Sequence, residues 1–238
     1  MDLIFLGRGS SNYTKQGNNA AYFIENGELF LIDCGETIFS KLMEKKLLET
    51  VDEINVMITH THCDHIGSLG SLILYCYFTL QKNVHIILPD RVSYVQSIEV
   101  LLKYFGCTIE MYHIVSEKEL DYKYETFMRI RYQQTNHVKQ LECYGILFDT
   151  SHGFVYYSGD TKEIDNVKRL IDHHEKIDKI YIDTTSLDSK DNVHVCVDTL
   201  NKEVPENIKQ KVYCMHFNND DCMEKAKKYG FHVVEVPK

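Results

Sequence analysis

Apolar residues run through this chain in short continuous blocks, and such blocks mark buried strands. Leu3–Leu6, Ile54–Ile58, Val84–Leu88, Lys179–Asp183 and Lys211–Met215 are of this kind. Between them the spacing shifts to the helical period, so Glu36–Leu48, Leu69–Leu80, Val92–Phe105, Glu163–His174 and Asp220–Tyr229 read as helices. Gly106 and Gly230 stop two of them. Ala20–Glu25 and Glu28–Asp33 flank Asn26-Gly27, the strongest short hairpin signal. A second hairpin, Tyr144–Thr150 with Phe154–Tyr157, turns at Ser151-His152-Gly153, where His152 is a turn residue. Alternation between Cys107 and Gln134 predicts further strands, including Ile109–Tyr112 and Phe127–Arg131, and Phe231–Val236 predicts a last one. Strands alternate with helices in both halves, with no linker, low-complexity tract or exact repeat. That pattern predicts one α/β domain over residues 1–238, two sheets covered by helices.

Composition narrows the class. A chain of 238 residues with 44% apolar content can bury a sizeable core. No segment approaches the roughly 18 apolar residues of a membrane span, and Met1-Asp2-Leu3-Ile4 lacks the basic region of a secretory signal. Eight scattered cysteines without an export signal read as reduced thiols of a cytoplasmic protein. The formal charge of −9 argues against a protein whose main task is to grip nucleic-acid backbone. Bound divalent cations would offset part of that charge locally.

The chemistry is concentrated in Thr59-His60-Thr61-His62-Cys63-Asp64-His65, directly after a buried strand. In extended chain His60 and His62 point to one side, and Asp64 and His65 follow at the turn into an apolar helix. Four ionisable side chains so close together are costly to desolvate unless they coordinate something. Imidazole and carboxylate without a CxxC pair suit zinc, manganese or iron. Cys63 inside the motif reads as a packed bystander. Asp33, His60, His137, Asp160, Asp183 and His216 each follow a predicted strand, and such ends gather at one rim in α/β proteins. Individually they have simpler readings: Asp33 could cap the next helix or orient a metal-bound His, and Asp160 could cap the helix after it. Six together point to a shared metal site.

The sequence resembles the metallo-β-lactamase superfamily, and within it the ribonuclease Z branch. His60, His62, Asp64 and His65 meet the His-x-His-x-Asp-His motif, Asp33 precedes it as the early strand-end Asp, and His137, Asp160 in a Ser158-Gly159-Asp160-Thr161 context and the late His216 follow in the expected order. The resemblance implies a four-layer αββα sandwich and two divalent ions, zinc foremost with manganese or iron as alternatives. One ion would take His60, His62 and His137 and the other Asp64, His65 and His216, with Asp160 bridging. Two ions about 4 Å apart would hold a bridging hydroxide as nucleophile for hydrolysis. Asp183 would join Asp33 behind the ligands, and His194 would act beside Asp64 in the chemistry as proton donor to the leaving group.

Departures from ribonuclease Z set the substrate expectation. The loop Tyr13-Thr14-Lys15-Gln16-Gly17-Asn18 lacks the branch's Arg, and Leu69–Thr135 reads as ordinary helix and strand where the branch carries a basic, glycine-rich tRNA-gripping arm. A small phosphodiester is therefore expected over tRNA, with cyclic nucleotides the natural substrates, since branch members without the arm include cyclic-nucleotide phosphodiesterases. Two alternatives remain: a tRNA 3′ endonuclease, and a metal-binding regulator with little catalysis. Apolar residues on nearly all sides of Leu69–Leu80 lead to the expectation of a homodimer with that helix at its face.

Overall fold

The computed structural model describes residues 1–124, 128–173 and 176–237. Its first half runs β1 (Ile4–Gly7), β2 (Ala20–Glu25), β3 (Glu28–Ile32), α1 (Ile38–Glu44), β4 (Glu53–Met57), α2 (Cys63–Ile66), α3 (Leu69–Tyr75), β5 (Val84–Leu88), α4 (Val92–Tyr104) and β6 (Tyr112–Ser116). The helix α5 (Glu117–Tyr124) leads to the second half. There follow β7 (Met128–Thr135), β8 (Cys143–Thr150), β9 (Gly153–Tyr157), α6 (Asp165–His173), β10 (Ile177–Asp183), α7 (Val197–Glu203), α8 (Glu206–Lys209), β11 (Val212–Met215), α9 (Asp220–Lys228) and β12 (His232–Val233). Strands β1 to β6 form one six-stranded sheet in sequence order, and β12 to β7 form the other. Each sheet opens with two antiparallel pairings and continues with three parallel ones.

The apolar blocks explain the layers. Successive strand side chains point to opposite faces, so a continuous block serves two faces at once. Phe30, Ile32, Met57 and Ile87 of the first sheet pack in one core with Ile146, Phe148, Tyr157 and Ile182 of the second. Their alternates Leu29, Leu31, Ile54, Val56, Val84 and Ile86 meet Ile38, Leu42, Leu69, Leu72, Ile98 and Leu102 from the helices outside. Aromatic rings join the sheets directly: Phe23 meets Phe148 edge-on at 5.9 Å, and Phe5 meets Tyr181 at 5.5 Å. Val167 and Leu170 of α6, with Val197 and Leu200 of α7, join the core that includes the second sheet. The result is the expected α/β sandwich of four layers.

Differences from the sequence reading have local causes. Residues Ile109–Met111 form a turn closed by Met111 N–H donating to Thr108 O at 3.0 Å, and Ile109 is exposed, so the strand starts only at Tyr112. Between the expected strands lies α5, announced by a capping box at Ser116-Glu117-Lys118-Glu119. Ser116 N–H donates to Glu119 Oε2 at 2.8 Å and Glu119 N–H to Ser116 Oγ at 3.3 Å. Phe127 and His174, at the ends of two predicted elements, lie outside the described residues. Asn26 and Gly27 turn the first hairpin with φ of 51° and 82°, as a primed turn requires. Helix α3 runs on as a π turn, Cys76–Leu80. Leu72 and Ile73 are buried in the chain's own core while Phe78 is 68% exposed, and Val100, Tyr104 and Ile109 are exposed on α4 and the loop after it.

Candidate metal centre

All six predicted strand-end residues stand at one rim. Asp33 follows β3, His60 lies just past β4, His137 past β7, Asp160 past β9, Asp183 ends β10, and His216 follows β11. His62 is extended, with φ and ψ of −66° and 150°, and α2 begins directly after it at Cys63. Gly35 lets the loop after β3 lie against this motif: a Cβ there would meet Asp64 O at 1.9 Å. The two loops are joined by Cys34 N–H to His65 O at 2.7 Å and Ser68 N–H to Cys34 O at 3.0 Å. Asp33 and His216 both adopt left-handed backbone, with φ of 64° and 57°. For residues other than glycine that conformation costs of order 1–3 kcal/mol and persists where a site over-determines it.

The side chains converge as two groups that share one carboxylate. His60 Nε2 lies 3.0 Å from His62 Nδ1, and His137 Nε2 lies 3.3 Å from the same atom. Asp160 Oδ2 faces this group, 3.8 Å from His60 Nε2 and 3.6 Å from His137 Nε2. Asp160 Oδ1 faces the other, 3.3 Å from His65 Nε2 and 3.5 Å from His216 Nε2. Asp64 Oδ2 completes the second group, 3.5 Å from His65 Nε2 and 3.3 Å from His216 Nε2. His194, partly open to solvent, stands beside both with Nδ1 2.7 Å from Asp183 Oδ2 and 3.8 Å from Asp160 Oδ2. Cys63 is exposed and joins none of the described ligand groups.

Behind these atoms a second layer fixes the rings. Asp33 accepts from Thr59 N–H and Thr59 O–H, each at 2.8 Å, and from His65 Nδ1 at 2.8 Å. Because the Thr59 hydroxyl donates to Asp33, its oxygen is free to accept from His60 Nδ1 at 3.1 Å. Asp33 therefore orients one imidazole of each group and is no helix cap. His137 Nδ1 donates to Val193 O at 2.8 Å. Asp183 receives Thr161 N–H at 3.0 Å, and its Oδ1 lies 3.2 Å from His216 Nδ1. With Nδ1 occupied in His60, His65 and His137, each turns Nε2 towards the centre, the arrangement that prepares a ring for a metal. No role was legible in the sequence for Val193, nor for Thr59 and Ser158 although both stand in the quoted motifs; the Ser158 hydroxyl accepts Asp183 N–H at 2.9 Å.

The electrostatics suit a cation. His65 Nε2 and Asp160 Oδ1 are buried without a hydrogen bond among the described residues, and they face each other at 3.3 Å. Burial lowers the His60 imidazole well below its ordinary value and lowers His62 as well. Burial would lower His65 too, but Asp160 and Asp33 beside it hold it well above. His216, likewise buried, is pushed up to about 10 by Asp160, Asp183 and Asp64. Burial also opposes charge on Asp160, yet His216 and His65 hold its carboxyl well below the usual range. The carboxylates thus favour positive charge at this point, and a divalent metal, which binds deprotonated ligands, would supply it in place of protons. The donors are all imidazole nitrogen and carboxylate oxygen, and their positions fit such an ion.

Among solved structures the chain is similar to a metallo-β-lactamase fold protein, YhfI from Bacillus subtilis. The TM-score is 0.72 at 17% identity, covering 99% of this chain and 96% of that one. Fold and donor set together define a protein of the metallo-β-lactamase fold with a candidate centre for divalent metal. The chain belongs to the Anti-Pycsar protein Apyc1 family, whose model matches residues 1–235. It is 29% identical to the anti-Pycsar protein Apyc1 of Bacillus phage 010DV004 over 95% of this chain and 93% of that protein. It is also 30% identical to the ribonuclease Z of Methanocaldococcus jannaschii, over 74% of this chain and 52% of that protein.

Replacing Asp33 by Ala tests the second layer, because it leaves His65 Nδ1–H and the Thr59 donors without acceptors. Each buried unpaired group costs about 1–3 kcal/mol, and metal affinity should fall about 10- to 100-fold. Competition with a chelator measures the affinity. Unchanged retention of metal in Asp33→Ala would show that Asp33 does not orient the ligands.

Proposed function

We propose that the chain is a dinuclear phosphodiesterase that hydrolyses a small or cyclic nucleotide phosphodiester. The observation that carries this reading is the position of Asp160, whose two oxygens address different groups of three donors. His60, His62 and His137 would hold one divalent ion and Asp64, His65 and His216 the other, with Asp160 shared and zinc the ion of choice for imidazole-rich sites. When bound, two such cations supply an acidified water and offset the negative charge of a phosphodiester.

The chain's own residues do the rest. His62 and His194 are the partly exposed members of the cluster and mark the side from which substrate enters. His194, held through Nδ1 by Asp183, turns its other nitrogen away from that carboxylate and donates a proton to the departing oxygen. Asp183 keeps the ring in one tautomer, as carboxylates do for catalytic His elsewhere. Both sheets contribute ligands, which supports a single domain over residues 1–238. The small substrate is supported by the segment 69–135, which apart from residues 125–127 is taken up by helices, strands and short turns, leaving no described basic arm to grip tRNA. No helix among the described residues is long and apolar enough to cross a membrane. The eight cysteines are free thiols, which supports a cytoplasmic setting.

Hydrolysis of 2′,3′- and 3′,5′-cyclic nucleotides, bis(p-nitrophenyl) phosphate and pre-tRNA, with metal content by elemental analysis, tests the proposal. Turnover of a cyclic nucleotide with about two ions per chain is expected. Cleavage of pre-tRNA alone would favour the endonuclease reading, and one ion or none would remove the dinuclear one.

His194→Ala should lower turnover of the natural ester about a hundredfold at unchanged metal content. The loss should shrink for p-nitrophenyl esters, whose leaving group departs without a proton. Equal losses on both would reject the proton-donor role.

Exposed Phe78, in the turn that continues α3, and exposed Val100 and Tyr104 on α4 support a homodimer that covers them. Light scattering at micromolar concentration should then give twice the chain mass of 27.8 kDa, falling to one in Phe78→Glu with Tyr104→Glu. A monomeric wild type would remove the dimer.

A further inference from the structure

The segment between β10 and α7 is an irregular loop, yet it serves the centre at two points. Val193 O receives His137 Nδ1 at 2.8 Å, and His194 Nδ1 reaches Asp183 Oδ2 at 2.7 Å. A main-chain carbonyl can aim an imidazole only if the backbone carrying it is held, and productive sites tolerate only about 0.5 Å of play. The base of the loop is closed by Thr185 N–H to Val195 O at 2.8 Å and Val197 N–H to Thr185 O at 2.9 Å. Its first turn is held from outside, with Ser186 N–H donating to Asn218 Oδ1 at 3.1 Å and Asn219 Nδ2 to Ser186 Oγ at 3.0 Å.

The stretch from Leu187 to His194 is held differently. Asn192 Nδ2 donates to Leu187 O at 2.8 Å and to His194 O at 2.7 Å, while Asn192 Oδ1 accepts His194 N–H at 3.2 Å. Its own N–H donates to Ser189 O at 3.1 Å. One amide therefore ties both ends of the stretch together and brackets Val193 between itself and His194. Aspartate, serine or threonine could supply the acceptor, but the two donations to carbonyls need the amide nitrogen.

We propose that Asn192 is a positioning residue for this centre: by pinning residues 187–194 it sets both the direction of the His137 imidazole and the place of His194. The proposal rests on the reading of His137 as a ligand and His194 as proton donor, so its test includes measurements that need no substrate. In Asn192→Ala, amide exchange over residues 185–195 of the metal-free protein should quicken about tenfold or more. Metal affinity by chelator competition should fall about tenfold, whereas in His194→Ala it should not change. At saturating metal, kcat on a cyclic nucleotide should fall at least tenfold with KM within about threefold, and the loss should be smaller on bis(p-nitrophenyl) phosphate. Combining Asn192→Ala with His194→Ala should add little further loss, as expected for residues acting through one group. Asn192→Asp, which keeps the acceptor but not the donors, should restore part of the exchange protection and not the metal affinity.

Unchanged metal affinity in Asn192→Ala would overturn the proposal, and so would a double variant whose losses multiply. If no nucleotide is hydrolysed by the wild type, the functional reading fails while the exchange and metal measurements still decide the role of Asn192.

Discussion

Everything at the rim depends on a carboxylate that neither sheet could hold alone. Asp160 arrives from the second sheet, and four of the six donors around it arrive on one loop of the first. An ionised group placed there without partners would carry several kcal/mol of desolvation cost. It is tolerable because the sheets pack face to face in one core, with Phe23 on Phe148 and Phe5 on Tyr181 joining them. Packing in the core and geometry at the rim are therefore one constraint. A slip between the sheets would separate Asp160 from His60 and His65, and the charges on either side would be left unpaired.

The two halves meet that constraint with similar means. Each sheet has two antiparallel pairings followed by three parallel ones, and each delivers an acid at the end of its third strand, Asp33 after β3 and Asp160 after β9. Their duties then part. Asp160 reaches into the centre, whereas Asp33 turns back through left-handed backbone and orients His60, through Thr59, and His65. The second sheet supplies its own rear carboxylate one strand later, in Asp183, beside His194 and His216. Each buried acid thus backs ligands that stand on its own sheet. Buried acids also hold the His65 and His216 imidazoles above their ordinary range, which is where a bound cation would be favoured.

Much of this was legible because strand blocks and turn residues act locally. The core strands β4, β5, β10 and β11, the Asn26-Gly27 turn, and the ligand cluster at strand ends could all be read from residue type and order. The miss at 107–124 came from trusting alternation where the chain is half exposed: Ile109 resembles a strand residue but faces solvent, and the capping box at Ser116 and Glu119 was the better signal. The ambiguity at Asp33 could not be resolved from sequence, because a strand-end carboxylate caps a helix or holds a ring with equal chemical ease. Only the approach of Thr59 and His65, from the loop and helix that follow β4, decides it. Carbonyl partners such as Val193 O lie beyond any reading of side chains, since every residue offers the same group.

The division between strands and loops also separates two kinds of precision. The seven candidate ligands stand on strand ends or on a motif loop tied to its neighbour by main-chain hydrogen bonds, so their spacing changes little with whatever enters the rim. His194 stands instead on a loop, with its ring partly open, and reaches the buried part of the site through a single carboxylate. A phosphodiester presents the same phosphorus to the fixed part whatever its leaving group, but its leaving oxygen shifts with the shape of the ester. The proposed proton donor thus stands off the strands, and that variation need not disturb the strand-end donors. The same loop must also aim His137, and for both duties its backbone has to be pinned.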